Sequence, residues 1–164
     1  MIVTYHSEES FKISQGDLSL AVNPQSKVSA DVTLFTTGRS ETSDKSGFVI
    51  DGPGEYEIKD IFIKGFLDKT FLINFEDIKL CFLGREANQE DIEDVDILFV
   101  RPDAYKAAVA LEPKVMIPMN YDNASLTKFL KEGGEEKVAP IDKFVVKKKD
   151  LEGKKSEILV LKEV

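Results

Sequence analysis

The stretch VDILFVRPDAYKAAVALEPKVMIPM, residues 95–119, decides how this chain folds. Val95 to Val100 is a nearly continuous apolar run, the mark of a strand buried on both faces. The segment DAYKAAVALE that follows predicts a helix: Asp103 can cap it, Tyr105, Ala108, Val109 and Leu111 supply an apolar stripe, and Pro113 stops it. Val115 to Met119 predicts a second buried strand. Downstream, Ser125 to Glu132 predicts a short helix with Leu126, Phe129 and Leu130 on one side and Gly133-Gly134 as its stop. Two further strands, Phe144 to Lys148 and Glu157 to Leu161, are expected to close a C-terminal hairpin around Leu151-Glu152-Gly153.

Upstream the character differs, because short strands follow one another with only turn signals between them. Ile2 to Tyr5, Phe11 to Ile13 and Leu18 to Val22 form an opening meander closed by Asn23-Pro24. Val32 to Thr36 and, after a polar loop, Phe48 to Ile50 come next. Glu55 to Ile58 pairs with Ile61 to Phe66 around Lys59-Asp60, and Phe71 to Phe75 with Ile78 to Leu83 around Glu76-Asp77. Many strands with helices in the second half predict an α+β fold of two sheets packed face to face, helices covering their outer faces. A length of 164 residues supports one such core, so residues 1–164 are read as a single domain.

Composition removes several functions. The chain has one histidine, His6, one cysteine, Cys81, and no tryptophan. A zinc site built from His and Cys therefore lacks its usual ligands, and no internal disulfide can form. With 22 Lys+Arg against 30 Asp+Glu the net charge is −8, which argues against nucleic-acid and anionic-membrane partners. The basic run Lys147-Lys148-Lys149, with Lys154-Lys155, reads as a solvated face of the C-terminal hairpin, interrupted by Asp150, Glu152 and Glu157. The N-terminal MIVTYHSEESFKI carries no basic and apolar leader pattern, and no apolar run reaches membrane-span length, so a cytoplasmic location is expected.

Four strings in order carry a family resemblance: FVIDGPGEYEIKDIFIKGF (48–66), INFEDIKLCFLG (73–84), VDILFV (95–100) and LEPKVMIPMNYD (111–122). Together they resemble the metallo-β-lactamase fold superfamily, in particular its lactonase-like branch of small bacterial metal-dependent hydrolases. The resemblance implies an αββα sandwich, here with trimmed loops, and in the family a zinc centre that cleaves esters, lactones or phosphodiesters. It also maps the metal ligands. The family's His-x-His-x-Asp-His falls on Thr37-Gly38-Arg39-Ser40-Glu41-Thr42, so Thr37, Arg39 and Thr42 stand where histidines are expected and Glu41 alone keeps a carboxylate. Arg85 stands at the Asp of Leu-Gly-Asp, and Asn120 at the His of Ile-Pro-Met-His-Tyr. A threonine or a cationic arginine cannot replace a neutral imidazole as a ligand, and without the ion no metal-bound hydroxide forms.

The three arginines, against nineteen lysines, all follow apolar strands: Arg39, Arg85 and Arg101. In the implied fold those strand ends meet on one rim. The arginines then either form an anion-binding pocket that replaces the metal charge, or pair with Glu41, Asp44, Glu86 or Asp103 and plug a vacated cavity. The leading expectation is a non-catalytic, cofactor-free protein that has lost the zinc ligands and binds a small anionic ligand or a protein partner. The alternative is a metal-dependent hydrolase whose Mg²⁺ or Mn²⁺ is held by Glu41, Asp44 and Asp122; a third reading is a subunit that self-associates through exposed sheet edges into a homo-oligomer. His6, expected just after the first strand, reads as structural or exposed, Cys81 as a small buried hydrophobe, and GPGEYE as a tight turn and not a phosphate cradle.

Overall fold

Alternation and continuity of apolar residues sort the strands into two sheets in the computed structural model, which describes residues 1–26, 28–37, 47–85 and 91–164. The first sheet has the order β12-β1-β2-β3-β4-β5. Its strands are β1 (Ile2–Ser7), β2 (Ser10–Gln15), β3 (Leu18–Val22), β4 (Val32–Leu34), β5 (Phe48–Ile50) and β12 (Phe144–Val145). The second has the order β13-β11-β10-β9-β8-β7-β6. It contains β6 (Gly54–Ile58), β7 (Ile61–Gly65), β8 (Phe71–Phe75), β9 (Ile78–Phe82), β10 (Ile97–Val100), β11 (Val115–Pro118) and β13 (Glu157–Ile158). Strands β6 to β9 form an antiparallel meander, whereas β9, β10, β11 and β13 run parallel. Every residue of β10 and β11 is buried, as strands covered on both faces require. In β7 buried and exposed positions alternate, with Phe62 and Lys64 facing out.

Between the sheets lies the main core. Phe11 of the first sheet packs edge-on against Phe99 of the second, ring centroids 4.8 Å apart, and Phe99 stacks on Phe82 at 4.1 Å. All three rings are fully buried. A second cluster forms on the outer face of the seven-stranded sheet, where Cys81, Leu98, Val100 and Met116 meet Ala108 of α1 (Tyr105–Ala110) and Phe129 and Leu130 of α2 (Asn123–Glu132). Among the described residues both α-helices cover this face. None of the described helices is long and apolar enough to cross a membrane.

Three local expectations are corrected. Asp103 does not cap α1: it lies in a 3-10 turn, Pro102–Ala104, and the N-cap position is Ala104, with no side-chain cap. Val109 is 40% exposed and not part of the buried stripe. The C-terminal strands do not form a hairpin, because β12 pairs with β1 in one sheet and β13 with β11 in the other. A 3-10 segment, Lys148–Leu151, separates them, and its fully buried Leu151 sits in the inter-sheet core. The apolar demand at Leu151 pulls the chain across the end of the sandwich instead of letting it turn back. Consequently Lys148 is not simply solvated.

Lys148 meets Asp96, which precedes β10 and is fully buried. The Asp96 carboxylate accepts from Lys148 Nζ and Lys114 Nζ, each at 2.6 Å, and from the Lys79 amide at 2.8 Å. Residues from β9, β10, the start of β11 and the C-terminal segment are thereby held at one end of the parallel strands. Burial pushes this carboxyl's pKa up, but the two lysines and the amide outweigh that and hold it below the usual carboxylate range.

Two stability outcomes follow from this packing. Phe99→Ala should lower the unfolding free energy in a urea titration by about 3–5 kcal/mol, the cost of an aromatic cavity; a loss under about 1 kcal/mol would mean that the sheets do not pack through this ring. For Asp96, a depressed folded pKa contributes stability that is complete above the ordinary Asp value of about 3.9 and lost as pH falls through the lower folded value. Asp96→Asn should therefore destabilise by about 3 kcal/mol at pH 7, and urea titrations from pH 7 down to 2 should show the wild-type advantage shrinking below about pH 4.

Candidate functional site

Parallel strands direct their carboxyl ends, and the residues after them, to one edge of a sheet, which is where open α/β sheets place ligand crevices. Here Leu83-Gly84-Arg85 follows β9, Arg101 follows β10 and Met119-Asn120 follows β11, while Phe35-Thr36-Thr37 follows β4 of the other sheet. Between them the turn joining β1 to β2 brings in Glu8 and Glu9. A cavity of about 370 Å³ is lined by Glu9, Thr36, Thr37, Asp68, Lys69, Arg85 and Arg101, among others. An adjoining one of about 500 Å³ shares Glu9, Thr37 and Arg85 with it and adds Glu8, Asn23 and Asn120.

The turn geometry turns Glu9 inward. Glu8 has a φ of 48°, so Glu8 is exposed while Glu9 is only 7% exposed. The Asn120 amide donates to the Glu8 carbonyl at 2.6 Å, tying the end of β11 to the first sheet. Asn23 Nδ2 donates to the Glu9 carbonyl at 3.1 Å and to Thr36 Oγ1 at 2.8 Å, and the Thr36 amide donates back to Asn23 Oδ1 at 2.8 Å. The Glu9 carboxylate itself accepts from Asn120 Nδ2 at 3.2 Å and from Arg101 Nη1 at 3.4 Å. A buried carboxylate is thus countered by one guanidinium and one amide drawn from two strand ends.

Arg101 is less well served than Glu9. Its side chain is 11% exposed, its bond to Glu9 is long, and Asp103 Oδ1 stands 3.7 Å from Nε, beyond hydrogen-bond reach. The buried Nε has no acceptor among the described residues. Such orphaned buried donors are rare and costly. Arg85, on the same cavity walls, is held by the backbone around Gly84. A Cβ at Gly84 would fall 2.1 Å from the Asp68 carbonyl, and the Gly84 amide donates to Thr70 Oγ1 at 2.9 Å, which in turn donates to Asp68 Oδ2 at 2.8 Å. The segment 68–70 therefore lies directly over Gly84, and only glycine fits beneath it.

Of the positions that the resemblance maps to metal ligands, Thr37, Arg85 and Asn120 share the 500 Å³ cavity. Arg85 and Arg101 share the 370 Å³ one. Arg39, Glu41 and Thr42, together with Asp44 and Glu86, lie outside the described residues. Among the described residues the donors do not fit a zinc centre: Arg85 is a permanent cation, the Asn120 side-chain amide is spent on Glu9, and Glu9 is engaged by Asn120 and Arg101. Among the described residues no group of three or more His, Cys, Asp or Glu side chains could hold a metal ion. Asp122, the third carboxylate of the oxygen-ligand alternative, instead caps α2 by accepting the Ser125 amide at 2.7 Å, which holds its pKa below the usual range.

The remaining singled-out residues fall elsewhere. His6 lies within β1, not after it, beside the irregularity between Tyr5 and Ser7, and lines neither cavity. Cys81 is fully buried in the outer-face cluster, where burial pushes its thiol pKa far up. GPGEYE makes a tight turn: Gly54 has a φ of 140°, and Tyr56 Oη donates to the Gly52 and Pro53 carbonyls, each at 3.1 Å. Tyr5 and Tyr121 stack with centroids 6.1 Å apart, and burial pushes the Tyr5 phenol up to about 12, so it does not exchange protons near neutrality. Sequence reasoning passed over Glu9. The available signal was the pair Glu8-Glu9 at an expected two-strand turn, of which only one can face solvent.

No protein-family model matches the chain, and no curated protein matches it in sequence. Solved structures do. A Thermotoga maritima protein assigned to the metallo-beta-lactamase superfamily as a Zn-dependent hydrolase is 23% identical, with 98% of this chain and 97% of that one covered at a TM-score of 0.78. A protein of Parabacteroides distasonis assigned as a metal-dependent hydrolase is 14% identical, with 99% and 93% covered at 0.65. The metallo-beta-lactamase fold protein YhfI from Bacillus subtilis is 10% identical, with 98% and 96% covered at 0.59. At these identities the likeness is one of fold, and the fold of this chain is that of the metallo-β-lactamase superfamily.

Proposed function

We propose that the chain is a non-hydrolytic protein of this fold that has lost the zinc ligands, works without a metal cofactor and binds a small anionic ligand between Arg85 and Arg101. The observation that carries the reading is that Arg101, whose buried Nε has no acceptor among the described residues, lines one cavity together with Arg85. A guanidinium presents its donors as a planar fork that matches the oxygens of a carboxylate or phosphate. A ligand oxyanion would supply the missing acceptor, and its charge would complement two guanidinium groups of which Arg101 is already paired with Glu9 and stands 3.7 Å from Asp103. The donor chemistry supports the metal-independent part: the former ligand positions in the crevice carry a hydroxyl, a guanidinium and an amide, none of which generates a metal-bound hydroxide.

Phosphate is the simplest probe. In thermal unfolding, phosphate at about 100 times its Kd should stabilise the folded chain by about 2.7 kcal/mol. Arg85→Met should weaken phosphate binding by about tenfold or more, the worth of a charged hydrogen bond, while leaving the Glu9–Arg101 pair and the fold intact. Zn²⁺, Mn²⁺ and EDTA should leave the melting temperature unchanged. Stoichiometric metal that survives dialysis, or metal-dependent ester hydrolysis, would overturn the reading.

A further inference from the structure

The anion crevice does not end at Arg85 and Arg101. Both arginines also line a third cavity, of about 580 Å³, on the side facing the helices. Its other charged residues are Lys106 of α1, Lys128 of α2, Asp103 and Glu132. Lys106 and Lys128 are exposed, and neither makes an ion pair among the described residues. Four cations against two carboxylates is an excess of positive charge in a chain whose net charge is −8. On the opposite side of Arg85 the 500 Å³ cavity has the reverse balance, with Glu8 and Glu9 against Arg85 alone. The crevice is therefore polarised along its length, acidic at the β1–β2 turn and basic at the helices.

A single anion seated on the arginines would leave the two lysines facing an empty basic hollow. A hollow with an excess of positive charge concentrates anions there. Resting on the anion-binding reading above, we infer that the ligand is a diphosphate-bearing small molecule: one phosphoryl group lies on the guanidinium forks of Arg85 and Arg101, and the second on the ammonium groups of Lys106 and Lys128. The division of labour suits the side chains, since the planar fork fixes orientation and lysine serves as a mobile point charge for phosphate. The cavity volumes fall within the range of small-molecule sites.

Calorimetric titration of the full chain with inorganic phosphate and with inorganic pyrophosphate, both in EDTA, tests this. Pyrophosphate should bind at least about tenfold more tightly than phosphate, an energy that a pair of charge-assisted contacts supplies. The double variant K106A/K128A should lose that advantage and keep wild-type phosphate affinity. K143A/K149A, which removes the same charge from exposed lysines outside the cavity, should keep both. Phosphate binding with no pyrophosphate advantage, or an advantage that survives K106A/K128A, overturns the diphosphate inference and leaves the anion pocket standing. An equal loss in the two double variants overturns it as well, since bulk charge would then explain the preference. Failure of both anions to bind the wild type overturns the anion reading itself.

Discussion

The carboxylate of Glu9 accepts from Arg101 at the end of β10 and from Asn120 at the end of β11, while its own turn belongs to the other sheet. A charge buried this deeply must be countered, and deleting one partner strands the other in a poor dielectric. The bond therefore fixes where the strand ends of both sheets meet, and with them the shape of the crevice. Neighbouring bonds reinforce it, from Asn23 to Thr36 and from the Asn120 amide to Glu8. At the far end of the parallel strands Asp96 plays the corresponding part with Lys114 and Lys148. The stacked rings of Phe82 and Phe99, with Phe11 against them, fill the space between the two polar ends.

Within this frame the charge logic of the crevice differs from that of a metal centre. Metal ligands are neutral or anionic and converge on an added cation. Here the cations are built into the chain as Arg85 and Arg101, and the carboxylate nearest them is already committed to Arg101. On the proposed reading the crevice would attract the charge opposite to the one that the resembling enzymes hold. Fold alone does not carry chemistry across such a change.

Much of the sandwich was legible in the sequence because strand burial writes itself as apolar periodicity. Leu18–Val22 and Phe71–Phe75 stand out between turn residues, and the continuous runs before Arg101 and around Ile117 mark strands with both faces covered. What failed depended on long-range contacts. Leu151 looked like part of a turn, but it plugs the inter-sheet core and separates β12 from β13. Asp103 had the chemistry of a helix cap, yet Pro102 begins a 3-10 turn that moves the helix start onward. At the site, the motif positions of the resemblance and the strand ends of the fold it implies pointed to Arg85, Arg101 and Asn120, which line adjoining cavities. Glu9 left only a weak signal, because a pair of acids in a turn has no periodicity to say which one faces inward, and its inward direction follows from the positive φ of Glu8.

The buried Arg101 donor can be followed directly, because arginine Nε–H groups are observed in ¹H–¹⁵N correlation spectra. With three arginines in the chain, three Nε–H signals are expected, and Arg101→Lys assigns one of them by its loss. Titration with phosphate in the presence of EDTA should shift the Arg101 signal downfield and slow its exchange with water, as a new charge-assisted hydrogen bond requires. An Arg101 signal that stays in place while phosphate saturates the protein would contradict the central claim.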